Sequence, residues 1–287
     1  MLVDFHVHST SSDGTLSPRE LVLHADRLSA LALTDHDNCD GIGEFLEAEA
    51  HSTQFLRIPG IELSVEPGDG FDRFHLLAID IDTANEHLKR FLKSVVDERN
   101  GRNARLIENF HRIGIPIKPR PSAGVLARPH FARWLVDNKY TSSITEAFEK
   151  YLLSDSPVTT RCYVERRRPS REEAIAVVKA AGGLAIMAHP VYWRKNWSKS
   201  GCDYQAAEKG LAELKEIGLD GIEALYGANT QEQNMGFTMI AQKLGLLKSA
   251  GSDFHGLNKP NVRLGMEVSE SFIKPLMERL KNGTKNK

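Results

Sequence analysis

The chain has 287 residues, of which 41% are hydrophobic and 26% charged, and its formal net charge at pH 7 is −1. This composition is that of a folded globular protein, and it excludes low-complexity disorder and collagen-like repeats. The three cysteines are far apart and show no paired spacing, which excludes a disulfide framework and a zinc knuckle.

No apolar run approaches the roughly 20 residues that a membrane helix requires. The opening sequence MLVDFHVH also lacks the basic and then apolar pattern of an export signal. We therefore expect a cytoplasmic protein that does not insert into a membrane.

The charge is distributed unevenly along the chain. The segment 99–168 carries 14 Lys and Arg against 6 Asp and Glu, a net charge of +8 that leaves −9 on the remainder. Such asymmetry predicts that one part of the molecule faces an anion while another part collects carboxylates.

The first predicted element is a strand over Leu2–His8, in which polar and apolar residues alternate. Because side chains two apart share a strand face, Asp4, His6 and His8 are expected on one side. A capping box that begins at Ser17 predicts the helix that follows, so strand and helix form a βα unit.

The same order recurs along the chain. Six further strands are predicted, over Leu31–His36, Leu56–Leu63, Phe74–Ile81, Leu184–His189, Gly221–Tyr226 and Leu246–Asp253. Helices are predicted between several of them, including Gly41–His51 and the helices capped from Ser170 and Thr230. Seven strands separated by helices predict a parallel sheet that closes, or nearly closes, into a (β/α)7 barrel, with an open doubly wound sheet as the alternative.

The alternation of predicted strands and helices is interrupted over residues 99–168, where the sequence has helical periodicity and several prolines but no predicted strand. This is also the basic segment. We interpret it as a helical insertion that folds over one mouth of the barrel, which leaves 1–98 and 169–287 as the barrel domain.

Polar side chains cluster at the predicted strand ends. They are His6 and His8 on strand one, Asp35 and His36 on strand two, Glu62 on strand three, His189 on strand five, and Asp253 and His255 after strand seven. In a (β/α) barrel the C-terminal ends of the strands converge on one mouth, where enzymes of this architecture keep their active sites. His75 is an exception, because it opens strand four.

These residue types predict a metal centre. Burial of so many imidazoles and carboxylates without cations would leave unpaired polar groups at a considerable cost in free energy. The donors are nitrogen and oxygen without thiolate, which favours manganese, iron, zinc or magnesium. Clustered metals suit phosphate ester hydrolysis, because they convert a water into the attacking hydroxide and neutralise the phosphoryl oxygens.

The basic segment offers cations for a second phosphate. The candidates are Arg99 and Arg102 in ERNGRN, and Arg128, His130 and Arg133 in ARPHFARW. Their spacing is interpreted as placing the cations on one helical face, the alternative being an ordinary solvated face. The triplet 166–168 is interpreted as a solvated turn.

Several motifs together resemble the PHP-domain (polymerase and histidinol phosphatase) phosphoesterases. They are HVHST…DGT, TDHD, PGIELS, ARPHFARWLV, MAHP and AGSDFH, in unbroken order from residue 1 to about residue 270. The stand-alone type that the chain resembles includes 3′,5′-nucleoside bisphosphate phosphatases and the 5′-to-3′ exoribonuclease RNase AM. The resemblance implies a distorted (β/α)7 barrel with a small helical insertion and a site for three metals, with manganese expected.

The resemblance also implies a ligand set, carried over by position. His6, His8, Glu62 and Asp253 would hold one metal, Asp13, His36 and His255 a second, and Glu62 would bridge to a third held by His75 and His189. It adds Asp13, which spacing alone would leave as a loop residue, and it gives His75 a role.

We therefore expect a metal-dependent phosphoesterase whose substrate is a 3′,5′-nucleoside bisphosphate or the 5′ end of a short RNA, with no stable protein partner. A histidinol phosphatase is a second interpretation, but its cationic substrate would need an acidic pocket. A nucleic-acid-binding or metal-stabilised module without turnover is a third, and the complete ligand set argues against it. A C–N hydrolase would leave the arginine-rich segment without a role.

Overall fold

A computed structural model of the chain, which describes residues 1–49, 55–68, 70–120, 126–194 and 196–283, contains eight strands. They are β1 Leu2–Val7, β2 Ala30–Leu33, β3 Leu56–Val65, β4 Phe74–Ile79, β5 Leu184–Met187, β6 Gly221–Tyr226, β7 Leu247–Gly251 and β8 Met266–Glu267. They form one sheet in the order β7-β6-β5-β4-β3-β2-β1-β8. A bridge from Val7 to Phe254 joins β1 to the segment after β7 and nearly closes the sheet. The predicted distorted barrel is confirmed, and the alternative prediction of an open, doubly wound sheet is wrong. Strand β8 was not expected.

Ten α-helices lie in the described ranges. They are α1 Pro18–His24, α2 Ile42–Glu47, α3 Glu86–Arg112, α4 Arg128–Asp137, α5 Ile144–Ala147, α6 Arg171–Ala180, α7 Trp197–Ser200, α8 Tyr204–Glu216, α9 Gln231–Leu244 and α10 Glu270–Gly283. The capping boxes predicted from Ser17, Ser170 and Thr230 are present. The end of the helix predicted over Gly41–His51 lies outside the described residues. Within these ranges, no helix combines the length and the apolar character needed to cross a membrane.

Strand β4 corrects the expectation of a parallel sheet, because it runs antiparallel to both of its neighbours, β3 and β5. The physical reason is the short connection between β3 and β4, residues 66–73. A parallel neighbour would need a crossover of about a dozen residues or more. Because β4 is reversed, its start lies at the mouth where the other strands end. His75 therefore sits at that mouth and is no exception to the positional rule.

A β-bulge between Asp4 and Val7 interrupts strand β1. Before the bulge, Val3 and Phe5 pack in the apolar cluster that includes α10, whereas Val7 packs in the cluster beneath the outer helices. The regular alternation expected over Leu2–His8 therefore fails at Val7, whereas His6 and His8 both contact Glu62, as side chains on one side of the strand should. Bulges often re-aim side chains next to functional sites, and this one turns the histidines of HVH toward carboxylates from other strands.

The barrel interior is an apolar cluster to which β1–β5 and β7 each contribute side chains. Helix α10 closes this cluster with Ile273, Leu276, Met277 and Leu280, all of which are buried. Because α10 packs against β7, where Lys248 Nζ near the start of the strand lies 4.7 Å from the ring centroid of Phe272, it closes the end of the barrel opposite to the mouth. The mouth is thereby left for polar side chains.

The basic segment has a separate apolar cluster, which includes Leu106, Phe110, Phe131 and Leu152. Helix α3 connects it to the barrel without a break, since the first half of α3 packs in the barrel's outer cluster. The proposed division of the chain at residues 98 and 168 stays a prediction. Part of that segment, residues 121–125, lies outside the described residues.

If α10 closes the barrel, Leu276→Ala should lower the free energy of unfolding by about 2–5 kcal/mol, because it leaves a cavity in a fully buried site. Urea denaturation measures the change. The control is Lys274→Ala on the same helix, where the side chain is exposed and the expected effect lies within about 0.5 kcal/mol. Equal small effects would contradict the assignment.

Candidate metal centre

The buried carboxylate of Glu62, in the second half of β3, is surrounded by five imidazoles. Its Oε2 lies 3.3 Å from His6 Nε2, 3.2 Å from His8 Nε2 and 3.0 Å from His36 Nδ1, and its Oε1 lies 2.7 Å from His75 Nδ1 and 2.9 Å from His189 Nε2. These histidines come from β1, β4 and the loops after β1, β2 and β5. One carboxylate thus joins residues that are far apart in the sequence.

Two further carboxylates extend the cluster. Asp253 Oδ1 lies 3.4 Å from both His8 Nε2 and His255 Nδ1. Asp13 Oδ1 lies 3.2 Å from His255 Nε2, and Asp13 Oδ2 lies 3.9 Å from His36 Nε2. The structure therefore brings together all nine residues that the sequence analysis named as candidate metal ligands.

Potential ligand atoms within 4.8 Å of one another fall into three groups. The groups are His6, His8, Glu62 and Asp253; His8, Asp13, His36 and His255; and His36, Glu62 and His75. The first equals the set that the resemblance implies, and the second adds His8 to it. His189 is not a member of the third group, although it contacts Glu62.

Unpartnered polar atoms test whether this cluster fits metal ions. His6 Nε2, His8 Nε2, His36 Nδ1 and Glu62 Oε2 are buried, and although each of the three nitrogens lies within 3.3 Å of that oxygen, their geometry gives none of the four atoms a hydrogen bond. Buried polar atoms without partners are costly and rare in folded proteins. Divalent cations would satisfy all four, and nitrogen with carboxylate oxygen is a donor set that such cations accept. The residues present fit a metal centre.

The electrostatics of the cluster favour positive charge. Burial opposes a charged imidazole at His6, but Glu62, Glu223 and Asp253 raise its pKa well above the ordinary value. The pKa of His8 is likewise raised to about 9, where contacts with Asp253 and Glu62 outweigh burial. Protons and metal ions therefore compete for the same lone pairs.

His75 behaves differently within the cluster. Burial lowers its pKa to about 3, against the attraction of Glu62. Burial would raise the pKa of Glu62 itself, but His36, His6 and His75 hold it well below its usual range. The central carboxylate is therefore ionised beside a neutral imidazole at the mouth, and both are in the form that binds a metal.

Glu223 in β6 supports the cluster from behind and was missed by sequence reasoning. Its fully buried carboxylate lies 3.0 Å from His6 Nδ1, and it accepts the backbone N–H of His189 at 2.6 Å. Such contacts fix the ring orientation of a ligating histidine and leave the other nitrogen free for the metal. The available signal was an acidic residue inside the otherwise apolar strand sequence GIEALY.

Asp4 and Asp35 hold the loops that carry ligands. Asp4 accepts hydrogen bonds from the Ser252 N–H and hydroxyl and from the Gly265 N–H. Asp35 accepts from the hydroxyl of Ser12 and from the N–H of Ser9. The carboxylates thereby fix the segment before Asp253 and the loop that presents Asp13.

Backbone strain is concentrated at this mouth. Asp37, His189 and Asp253 have φ angles of 55°, 27° and 58°, in the left-handed region that non-glycine residues seldom adopt. Such conformations persist where the surrounding structure enforces them, often at functional sites. All three residues follow strands at the end of the barrel where the cluster lies.

A buried ion-pair triad joins the barrel to the basic segment. Asp37 is fully buried and accepts from Arg99 Nε at 2.6 Å and from Arg166 Nη2 at 3.0 Å. Interpreting Arg166 as part of a solvated turn was therefore wrong, because its guanidinium pairs with a carboxylate that the local sequence does not reveal. Arg167, next to it, is exposed.

Beside the metal cluster lies a basic cavity of about 240 Å³, bordered by Asp13, His36 and His75. Guanidinium side chains line its other side, from Arg73, Arg99, Arg102, Arg128, Arg166 and Arg168. Arg102 Nε and Arg166 Nη1 are buried without a partner. Burial lowers the pKa of Arg102 to about 9 and that of Arg166 to about 10, and neighbouring arginines add to both shifts. Crowded, desolvated cations of this kind form a site for an anion.

The cations of α4 do not share one face, so that expectation was wrong. Arg128 lines the basic cavity, whereas His130 and Arg133 lie outside it. Five residues of α-helix turn through about 500°, which places Arg133 about 140° around the axis from Arg128. His130 Nδ1 accepts the Ala127 N–H and so caps the helix.

A second cavity of about 480 Å³ also borders the metal cluster and adjoins the basic cavity at Pro129 and Phe148. Tyr192, Tyr226 and Val262 give it an apolar wall. At its edge, Asp253 Oδ2 accepts from the Tyr226 hydroxyl at 2.9 Å and from Lys259 Nζ at 2.5 Å. The metal cluster therefore borders two adjoining cavities, one basic and one partly aromatic.

Comparison with known proteins agrees with this geometry. The PHP domain model matches residues 4–122. A 3′,5′-nucleoside bisphosphate phosphatase of Chromobacterium violaceum is 32% identical over 272 residues, which cover 88% of this chain and 87% of that protein. The chain belongs to the PHP-domain family. This PHP-domain protein is also 32% identical over 261 residues to a 5′-3′ exoribonuclease of Haemophilus influenzae, covering 88% of this chain and 89% of the relative.

Two solved structures share the architecture of this chain. A Chromobacterium violaceum protein described as an amidohydrolase, with bound sulfate and no metal, superposes with a TM-score of 0.80 at 28% identity, covering 98% of this chain and 96% of that one. A Bifidobacterium adolescentis protein, a candidate metal-dependent phosphoesterase, gives 0.77 at 28% identity and covers 96% of both chains. The PHP-domain protein is a metal-dependent phosphoesterase, and the binding module without turnover is set aside.

If Glu223 orients His6, Glu223→Gln should weaken Mn²⁺ binding about 10- to 100-fold, the usual cost of losing a partner of a ligating histidine. Isothermal titration with Mn²⁺ measures the affinity. Glu232→Gln, at an exposed position on α9, is the control and should bind as the wild type does. Unchanged affinity in Glu223→Gln would remove Glu223 from the metal centre.

If Asp37 joins barrel and basic segment, Asp37→Asn should lower the free energy of unfolding at pH 7 by about 3–5 kcal/mol, because two buried guanidiniums lose their counter-charge. Despite burial, Arg99 and Arg166 hold the pKa of Asp37 far below its usual range. The stabilisation is thus complete above pH 4 or so and is lost as the pH falls below it, so the difference from wild type should shrink in acid.

Urea denaturation between pH 3 and 7 tests this expectation. The matched control is Asp97→Asn on α3, where an exposed carboxylate pairs with Lys93 at 2.8 Å and the expected loss is below about 1 kcal/mol. An equal loss of unfolding free energy in the two variants would show that the buried triad stabilises the protein no more than an exposed ion pair does.

Proposed function

We propose that the enzyme hydrolyses phosphate esters of nucleotides that carry phosphate at both ends, 3′,5′-nucleoside bisphosphates, and releases nucleotides from the 5′ end of short RNA. The observation that carries this proposal is the position of the basic cavity. It shares Asp13, His36 and His75 with the metal cluster, so two phosphates of one nucleotide can be bound at neighbouring points.

The nine clustered residues are proposed to hold three divalent cations, manganese first among them: His6, His8, Asp13, His36, Glu62, His75, His189, Asp253 and His255. When bound, the cations supply an activated water and neutralise charge on the phosphoryl oxygens. The protein side chains fix where the scissile phosphate lies. Glu223 holds His6 in the orientation that this requires.

The distant phosphate is proposed to bind the guanidiniums of Arg102, Arg128 and Arg166. Guanidinium forms paired, charge-assisted hydrogen bonds with phosphate oxygens, and these are stronger where water is excluded. Arg99 also lines the cavity, but it is bound to both Asp37 and Ser64 Oγ and so supports its neighbours. Arg166 also pairs with Asp37, yet its buried Nη1 has no partner and is available for the phosphate. A substrate with one phosphate leaves these cations uncompensated.

The nucleoside is proposed to lie between the two phosphate sites, against Pro129 and Phe148, which border both cavities. The same pocket accepts one nucleotide or the end of a chain, in accord with relatives named as a phosphatase and as an exoribonuclease. A histidinol phosphatase would need carboxylates where this enzyme has arginines. Nucleotide substrates and three free cysteines favour the cytoplasm.

Release of phosphate or nucleotide by the manganese-loaded enzyme tests the proposal. The substrates are adenosine 3′,5′-bisphosphate, histidinol phosphate, a 5′-phosphorylated RNA and p-nitrophenyl phosphate. We expect the highest kcat/KM with the bisphosphate, cleavage of the RNA, and loss of all turnover in Asp13→Asn. Preference for histidinol phosphate would overturn the proposal.

Arg102→Ala should raise KM for the bisphosphate about 10- to 100-fold, since a hydrogen bond to a charged group contributes about 1.5–3 kcal/mol. KM for p-nitrophenyl phosphate should stay within about twofold of the wild type, because that substrate has no second phosphate. Arg279→Ala, exposed on α10, is the control. Equal effects on the two substrates would assign Arg102 to structure alone.

A further inference from the structure

A groove of about 460 Å³ lies on the other side of α4 from the basic cavity. Its lining consists of Lys118, Arg120, His130, Arg133, Trp134 and Asp137. None of these residues borders the two cavities at the metal cluster. The groove is therefore a separate surface, and the reaction proposed for one nucleotide does not use it.

The groove is positively charged and accessible to solvent. Lys118, Arg120 and Arg133 are exposed and face a single carboxylate, Asp137. Arg133 donates a 3.0 Å hydrogen bond to the neutral amide oxygen of Asn258, so its positive charge is not cancelled there. Exposed cations along a groove attract a polyanion.

An aromatic side chain lies among these cations. Trp134 is half-buried, lines the groove, and stacks on Tyr140 with ring centroids 5.7 Å apart and planes at 20°. The stack holds the indole in a fixed orientation. Proteins that bind single-stranded nucleic acid without sequence preference combine a positively charged groove, which follows the backbone, with aromatic side chains on which bases stack.

The groove reaches the metal centre through Asn258. This residue accepts from Arg133 in the groove, donates to the backbone oxygen of Asp13 at 2.8 Å, and borders the second cavity. A chain that leaves the metal cluster through the second cavity therefore meets the groove next. This continuity favours RNA as the ligand, because the rest of an RNA substrate must leave the phosphoesterase centre over an adjoining surface. Binding of an acidic protein segment would not require a groove next to that centre.

We propose that this groove binds the part of a single-stranded RNA that follows the nucleotide being removed, with phosphates on Lys118, Arg120 and Arg133 and a base on Trp134. The inference rests on the proposed function and deepens it. It assigns the arginine-rich segment two surfaces, one for the terminal phosphate and one for the rest of the chain.

Fluorescence anisotropy with 5′-phosphorylated, 3′-fluorescein-labelled RNAs of two to eight nucleotides tests the groove. EDTA prevents cleavage during the measurement. We expect the wild-type protein to bind the eight-nucleotide RNA at least tenfold more tightly than the dinucleotide. The variant K118Q/R120Q/R133Q should bind the eight-nucleotide RNA at least tenfold more weakly and the dinucleotide within twofold. For this variant, the slope of log affinity against log salt concentration should become smaller in magnitude by about 2. Each phosphate contact to a single strand contributes about 0.7 to that slope, and the variant loses three cations.

The control variant K243Q/K274Q/R279Q removes the same number of exposed cations from α9 and α10. It should bind every RNA as the wild type does. Trp134→Ala should weaken binding of the long RNA about fivefold or more, whereas Trp134→Phe keeps an aromatic ring and should retain most of the affinity. Thermal melting by circular dichroism checks that each variant is folded.

Wild-type affinity in the groove variant, or equal losses in groove and control variants, would overturn the inference. Tighter binding of polyglutamate than of RNA would also overturn it, in favour of an acidic protein partner. Hydrolysis of adenosine 3′,5′-bisphosphate is measured separately. If the wild-type enzyme does not hydrolyse the bisphosphate while the groove variant has reduced affinity only for the long RNA, the proposed bisphosphatase activity is wrong and the groove inference stands.

Discussion

The structure depends on one buried carboxylate that is shared among five imidazoles. Glu62 can be ionised in the interior only because the surrounding histidines offset the cost of burying its charge. Those histidines leave buried atoms without partners, which cations would satisfy. The fold assembles these donors from distant segments, so metal ions bound to them would also stabilise the fold.

The positions of the donors follow from two departures from a regular parallel barrel. Reversal of β4 brings His75 to the mouth, and the bulge in β1 turns His6 toward Glu62 and Glu223. Apolar packing against α10 fills the opposite end of the barrel. The polar mouth and the apolar floor thus divide one barrel between catalysis and stability, as is general for (β/α) barrels.

Asp37 gives the uneven charge of the chain its structural meaning. Residues 99–168, with a net charge of +8, meet the rest of the chain, with a net charge of −9, at this carboxylate, which holds Arg99 and Arg166 beside the metal cluster. With part of the positive charge neutralised, guanidiniums can crowd around a small cavity. The proposed binding of one phosphate there and another at the metals would require a fixed position of the two surfaces relative to each other, and the buried triad provides a contact that fixes it.

The sequence by itself determined the barrel, the capped helices, the charge asymmetry and seven of the nine candidate ligands, because strand ends, capping boxes and HxH spacing are local patterns. Asp13 and the role of His75 came from the resemblance to the PHP-domain family. Only the tertiary structure decided the pairing of β4 with β5, the role of Glu223 and the burial of Arg166. Each of these depends on a partner from another segment. Pairing between distant strands and burial of a charge are set by packing, which no window of neighbouring residues contains.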